Sequence, residues 1–154
     1  MVNESGNPRI TDFGVAAIAR NPHSLRSTLE EDGHTARWCA PEILRNGQAV
    51  SKESDLFSFG MVIVEVGGDQ SVPYQPSYLL IKVFTGKAPF VGSTSPAVIA
   101  SIMGGKRPER PSHTSFTDSL WELTQQCWKV APSDRPDAEQ VVEVLKKSVF
   151  SSSF

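Results

Sequence analysis

A mainly α-helical fold organised around one buried helix is predicted by three observations. Apolar residues recur at helical spacing on both sides of a stretch that starts near Ser51. Later segments repeat that period on one face only, and the one short strand falls within the first dozen residues. A composition of 39% hydrophobic and 21% charged residues supplies enough apolar surface for one domain with a core.

The elements follow in order. Residues 1–14 read as turn, short strand and turn: Ser5-Gly6-Asn7-Pro8, then Arg9-Ile10-Thr11, then Asp12-Phe13-Gly14. From about 15 to 40 neither period holds, and a connection of that length is functional or disordered as a rule. Ser51 and Ser54 offer N-cap hydroxyls for the next helix. Leu56, Phe59, Gly60, Ile63 and Val66 line one side of it, and Phe57, Met61 and Val64 the other. A helix apolar all round belongs in the centre of a core. Gly67-Gly68, Pro73 and Pro76 then exclude a regular helix. Further helices are expected over about Pro96–Met103, Phe116–Lys129 and Pro136–Lys147. Phe116, Leu120, Leu123 and Cys127 form the stripe of the second, and Ala138, Val141, Val142 and Leu145 the buried face of the third, which opens on a first-turn proline. The tail 148–154 is expected to fray.

Several function classes are disfavoured at once. A formal net charge of -2 gives no electrostatic case for nucleic acid or an anionic membrane. No apolar run approaches the roughly 20 residues that span a bilayer. The start, Met1-Val2-Asn3-Glu4-Ser5, has neither the basic nor the apolar region of a signal peptide. Cys39 and Cys127 lack metal-ligand spacing and read as reduced packing residues. The expected compartment is cytoplasmic, with the nucleus as the alternative.

Chemistry is signalled by tripeptides in a fixed order. Asp12-Phe13-Gly14 and Ala40-Pro41-Glu42 bracket a loop long enough to hold a substrate and a phosphosite. The second belongs to the more specific string Gly33-His34-Thr35-Ala36-Arg37-Trp38-Cys39-Ala40-Pro41-Glu42. Downstream come Ser54-Asp55-Leu56-Phe57-Ser58-Phe59-Gly60, then Phe84-Thr85-Gly86-Lys87-Ala88-Pro89-Phe90, and finally Asp134-Arg135-Pro136. Together these motifs resemble the C-terminal lobe of a protein kinase catalytic domain, over nearly the whole chain except 67–83. Trp121 to Trp128, followed by Pro132 to Pro136, resembles the tyrosine-kinase-like group. The Gly-His-Thr-x-Arg-Trp variant is similar to the large sets of such kinases in fungi.

The resemblance implies a protein-kinase-like large lobe with a short β remnant at its N-terminus, and a role for each matching residue. Asp12 would hold the magnesium that bridges the ATP phosphates. Glu42 would form a buried ion pair with Arg135, and Asp55 would accept backbone hydrogen bonds from the catalytic loop, all three being scaffold rather than catalytic residues. Thr35 sits where Ser/Thr-type kinases place a threonine against the catalytic aspartate, and Trp38 would pack the substrate-side loop. Ser24, Ser27 and Thr28 are candidate phosphosites, where about 1.5 to 2 added negative charges can order a loop by pairing with arginine. Phe57 departs from the tryptophan usual at its position.

The Gly-rich loop, the phosphate-binding lysine and the His-Arg-Asp catalytic loop all precede Asp-Phe-Gly in the family, and the residues ahead of Asp12 are too few to hold them. The chain is therefore expected to be an N-terminally truncated partial domain over 1–147, with an activation segment at 12–42. ATP and magnesium would belong to the parent domain and would not be held tightly by this chain, which would transfer no phosphate alone. Its partner would be a protein substrate, or, on a pseudokinase-like reading, a protein docked on the lobe. Deleting 66–82 joins Glu65 to Val83 and restores an uninterrupted family pattern. The block begins with valine, whose codons open on GT, and ends with lysine, one of whose codons closes on AG. It reads as a retained intron translated in frame, or else as a surface loop at a helix end.

Overall fold

The computed structural model describes residues 35–46, 50–65, 88–112 and 116–150. Five α-helices follow one another there: α1 (Pro41–Asn46), α2 (Lys52–Glu65), α3 (Ser95–Met103), α4 (Asp118–Cys127) and α5 (Ala138–Phe150). Short 3-10 turns occupy Thr35–Trp38 and Pro132–Asp134. No strand occurs among the described residues, so the fold is mainly α. The β remnant, Asp12-Phe13-Gly14 and the 66–82 block lie outside the described residues.

Side-chain caps open α2, α4 and α5. Ahead of α2, Ser51 Oγ accepts the Ser54 N–H (3.2 Å) while Ser54 Oγ accepts the Ser51 N–H (2.9 Å). This reciprocal arrangement satisfies two backbone donors that a helix start leaves open. Thr117 caps α4 by accepting the Leu120 N–H. Asp137 and Gln140 cap α5 by exchanging backbone-to-side-chain bonds of 2.8 and 2.9 Å. That cap places Pro136 before the helix, not in its first turn as the sequence led us to expect. Two residues past the end of α3, Gly105 has a φ of 82° that lets Lys106 N–H reach back to Ser101 C=O (2.9 Å).

Helix α2 is the centre of the core. Phe57, Met61, Ile63 and Val64 are buried on it, and Leu56 and Phe59 are half-buried. It packs against α4, which packs in turn against α5, while the Thr35–Trp38 turn touches both α2 and α3. Leu120, Leu123 and Cys127 on α4 are buried along the expected stripe with Phe116 beside them. Thr124 shares that face, and its hydroxyl is satisfied by donating to Leu120 C=O (2.7 Å). Gly60 on α2 faces the end of α4, and a Cβ there would lie 2.6 Å from Trp128 Nε1.

Two expectations about α5 are corrected. Of its expected buried face, Val141 is buried and Leu145 half-buried, but Ala138 and Val142 are exposed. Val144, three residues after Val141 and so on its face, packs against the core instead. The helix also runs to Phe150, beyond residue 148 where fraying was expected, since neither glycine nor proline interrupts it.

Candidate functional site

Residues 35–42 carry the most informative geometry. Ala36 is fully buried, and on either side of it the chain is fastened by polar contacts. Arg37 Nη1 donates to Pro89 and Phe90 carbonyls at 2.7 Å each, and Nη2 donates to Ser93 C=O at 2.8 Å. Trp38 donates its indole N–H to Glu65 Oε2 (2.7 Å), and its carbonyl accepts from Ser58 Oγ (2.8 Å). The segment is thus tied to α2 on one side and to the 88–93 turn on the other.

Four residues further on, Glu42 meets Arg135. Nη1 and Nη2 of the arginine donate to Oε1 and Oε2 at 2.7 and 2.8 Å, a two-pronged charge-assisted pair. Arg135 also donates to Glu53 C=O (2.8 Å) and Lys129 C=O (3.0 Å), so each of the three nitrogens of its side chain, which has no exposed surface, makes a hydrogen bond. Burial pushes the Glu42 carboxyl up, but the Arg135 hydrogen bonds and charge outweigh it and hold the group below its ordinary value.

Two guanidinium groups lie over the Phe57 ring, Arg107 at 4.8 Å and Arg135 at 5.2 Å from its centre. Cations over an aromatic face are attracted by its quadrupole, which favours both contacts. Burial lowers the Arg107 pKa, and the neighbouring Arg135 charge adds to that, against Glu42. Asp55 is exposed on α2, and no residue among those described donates to its carboxylate; partial burial alone pushes its pKa up.

Of the expected site residues, Glu42 and Arg135 are brought together, and Trp38 sits on the same segment as Glu42. Thr35 opens the 3-10 turn, and the surroundings of its side chain are not among the described features. Asp12, Ser24, Ser27 and Thr28 lie outside the described residues. Arg37, Glu65 and Arg107 were missed by the sequence reading. The first and last bond backbone carbonyls, which any residue could carry and which leave no mark in a sequence. Glu65 could have been found as an acid ending an otherwise apolar helix. No cluster of metal-ligating side chains exists among the described residues, and no helix there is long and apolar enough to cross a membrane.

The helical lobe thus ties segment 35–42 to its central helix and closes it with the Glu42–Arg135 pair. The family model for protein tyrosine and serine/threonine kinases matches residues 1–145. The chain belongs to that protein kinase family. It is 34% identical over 142 residues to a candidate serine/threonine-protein kinase/receptor of Acanthamoeba polyphaga mimivirus, covering 92% of this chain and 7% of that protein. It is 31% identical over 151 residues to the megakaryocyte-associated tyrosine-protein kinase of Rattus norvegicus, covering 98% of this chain and 27% of the relative. The chain thus spans well under a third of the length of either curated relative.

Proposed function

We propose that this chain is the large-lobe portion of a Ser/Thr-type protein kinase domain, whose complete form transfers the ATP γ-phosphate to protein serine or threonine. The observation that carries the reading is the fastened segment 35–42. A loop held by Arg37, Trp38 and the Glu42–Arg135 pair is a preformed surface for a peptide. Thr35 supports the hydroxyl-directed specificity by its place in the motif. Asp12 is a suitable hard ligand for magnesium, but one carboxylate does not make a magnesium site, and these residues include neither the catalytic-loop aspartate nor its asparagine. A polypeptide of these residues alone therefore neither holds ATP tightly nor transfers phosphate, and the missing groups must come from outside it.

The test is a phosphotransfer assay on purified chain with magnesium-ATP and serine, threonine and tyrosine peptides. No transfer to any peptide is the expected result, together with binding of serine or threonine peptides in preference to tyrosine ones. Transfer by chain free of other kinases overturns the inactivity, and preference for tyrosine overturns the specificity. A second reading, a pseudokinase-like binding module, draws on the contacts of Arg37, Trp38 and Glu42 within the chain, which hold segment 35–42 in place. Stoichiometric capture of a protein partner without ATP would support it. For the block 66–82, we propose a translated intron, and a spliced transcript lacking those codons is the expected finding.

A further inference from the structure

Two tight turns in succession lead into α3. Val91 N–H donates to Ala88 C=O (3.1 Å), and Ser93 N–H donates to Phe90 C=O (3.0 Å). The third residue of each turn has positive φ: Gly92 at 82° in the second, but Phe90 at 55° in the first. Phe90 is the one non-glycine residue in that region among the described residues. A side chain there crowds its own backbone, so the first turn is not one that Phe90 favours locally, although Pro89 before it suits the turn.

Arg37 supplies what the local sequence lacks. Relaxing such a turn to negative φ swings its central peptide, whose carbonyl is that of Pro89. Arg37 Nη1 holds that carbonyl and the next one, Phe90, and Nη2 holds Ser93. The neighbouring residue, Trp38, is pinned to Glu65 and Ser58 on α2. We propose that Arg37 is a clamp joining the strained turn ahead of α3 to the loop 35–38, so that turn and loop hold or release together. The clamp needs only contacts within the chain and goes beyond the proposed phosphotransfer, so failure of either leaves the other standing.

Amide exchange followed by NMR on the full chain tests it, with the Trp38 indole signal assigned through Trp38→Phe. Arg37→Gln should speed exchange at Val91 and Ser93 by about tenfold or more and shift the Trp38 indole resonance, with Leu123 and Cys127 amides unchanged. Adding Phe90→Gly lets the turn stand unaided, and should restore protection at Val91 and Ser93 but not the Trp38 signal. Arg37→Lys should give a smaller loss at the same amides, because an ammonium cannot fork across three carbonyls. Unchanged exchange at Val91 and Ser93 overturns the proposal, as does loss there with the Trp38 signal unmoved. Should Arg37→Gln fail to fold, Arg37→Lys decides: loss spread evenly into α4 marks general destabilisation and overturns it too.

Discussion

Glu42 and Arg135 stand 93 residues apart in sequence and meet at 2.7 Å, the arginine side chain wholly buried and the glutamate nearly so. Desolvating two charges is expensive, and the pair is tolerated because the arginine's remaining donors reach Glu53 and Lys129 carbonyls. Removing the carboxylate strands the cation. Glu42→Ala should therefore cost about 3–5 kcal/mol in urea unfolding. A loss under about 1 kcal/mol would mean that the pair behaves as a surface bridge.

Acid should weaken the chain through the same residue. The folded pKa of Glu42 lies below its ordinary 4.5, so the stability it contributes is full above that pH and is lost as pH falls through the folded pKa. Asp55 works the other way: its pKa is raised above 3.8, so the folded chain gains stability as the carboxyl takes up a proton. Urea midpoints measured from pH 6 downward should fall below about pH 4.5, less steeply in Glu42→Gln and more steeply in Asp55→Asn.

Gly60 sets two effects against each other. Alanine raises helix propensity by about 0.5–1 kcal/mol. Its Cβ would also lie 2.6 and 2.8 Å from Trp128 atoms and 3.0 Å from Cys127 Cβ. Overpacking of that kind costs about 1–3 kcal/mol, so Gly60→Ala should be a net loss. Trp128→Phe frees the space and deletes a buried indole N–H that has no partner among the described residues. The double variant should recover part of the loss, and strict additivity of the two would remove the explanation.

Neither cysteine should react while the chain is folded. Burial raises the Cys39 thiol to about 11, and raises Cys127 to about 12 against a small opposing effect of Arg135. The thiolate is the reactive form, so a thiol reagent at pH 8 should label neither before denaturant is added and both afterwards. Rapid labelling of native chain would show that one of them opens readily.

The parts of the fold that were legible in the sequence are those with enough turns to show a period. Helix α2 was legible because Phe57, Met61 and Val64 fill the side that Leu56, Phe59 and Ile63 leave open. The Thr35–Trp38 turn and α1 were not, because four and six residues are too few to repeat. Glu42 and Arg135 were found as partners only through motif resemblance, for no local pattern links residues so far apart. Arg37 escaped for a related reason: its three acceptors are main-chain carbonyls, and any residue could have carried them.

The span between Glu42 and Arg135 also has a meaning in time. During synthesis at roughly 5–20 residues per second, Glu42 leaves the ribosome roughly 5 to 20 s before the arginine that completes it. Throughout that interval Phe57 lacks one or both of its guanidinium neighbours, since Arg107 also follows it in the chain. The central helix is thus made early and closed late. Its nascent form offers apolar surface to chaperones for seconds, and the last third of the chain decides when that exposure ends.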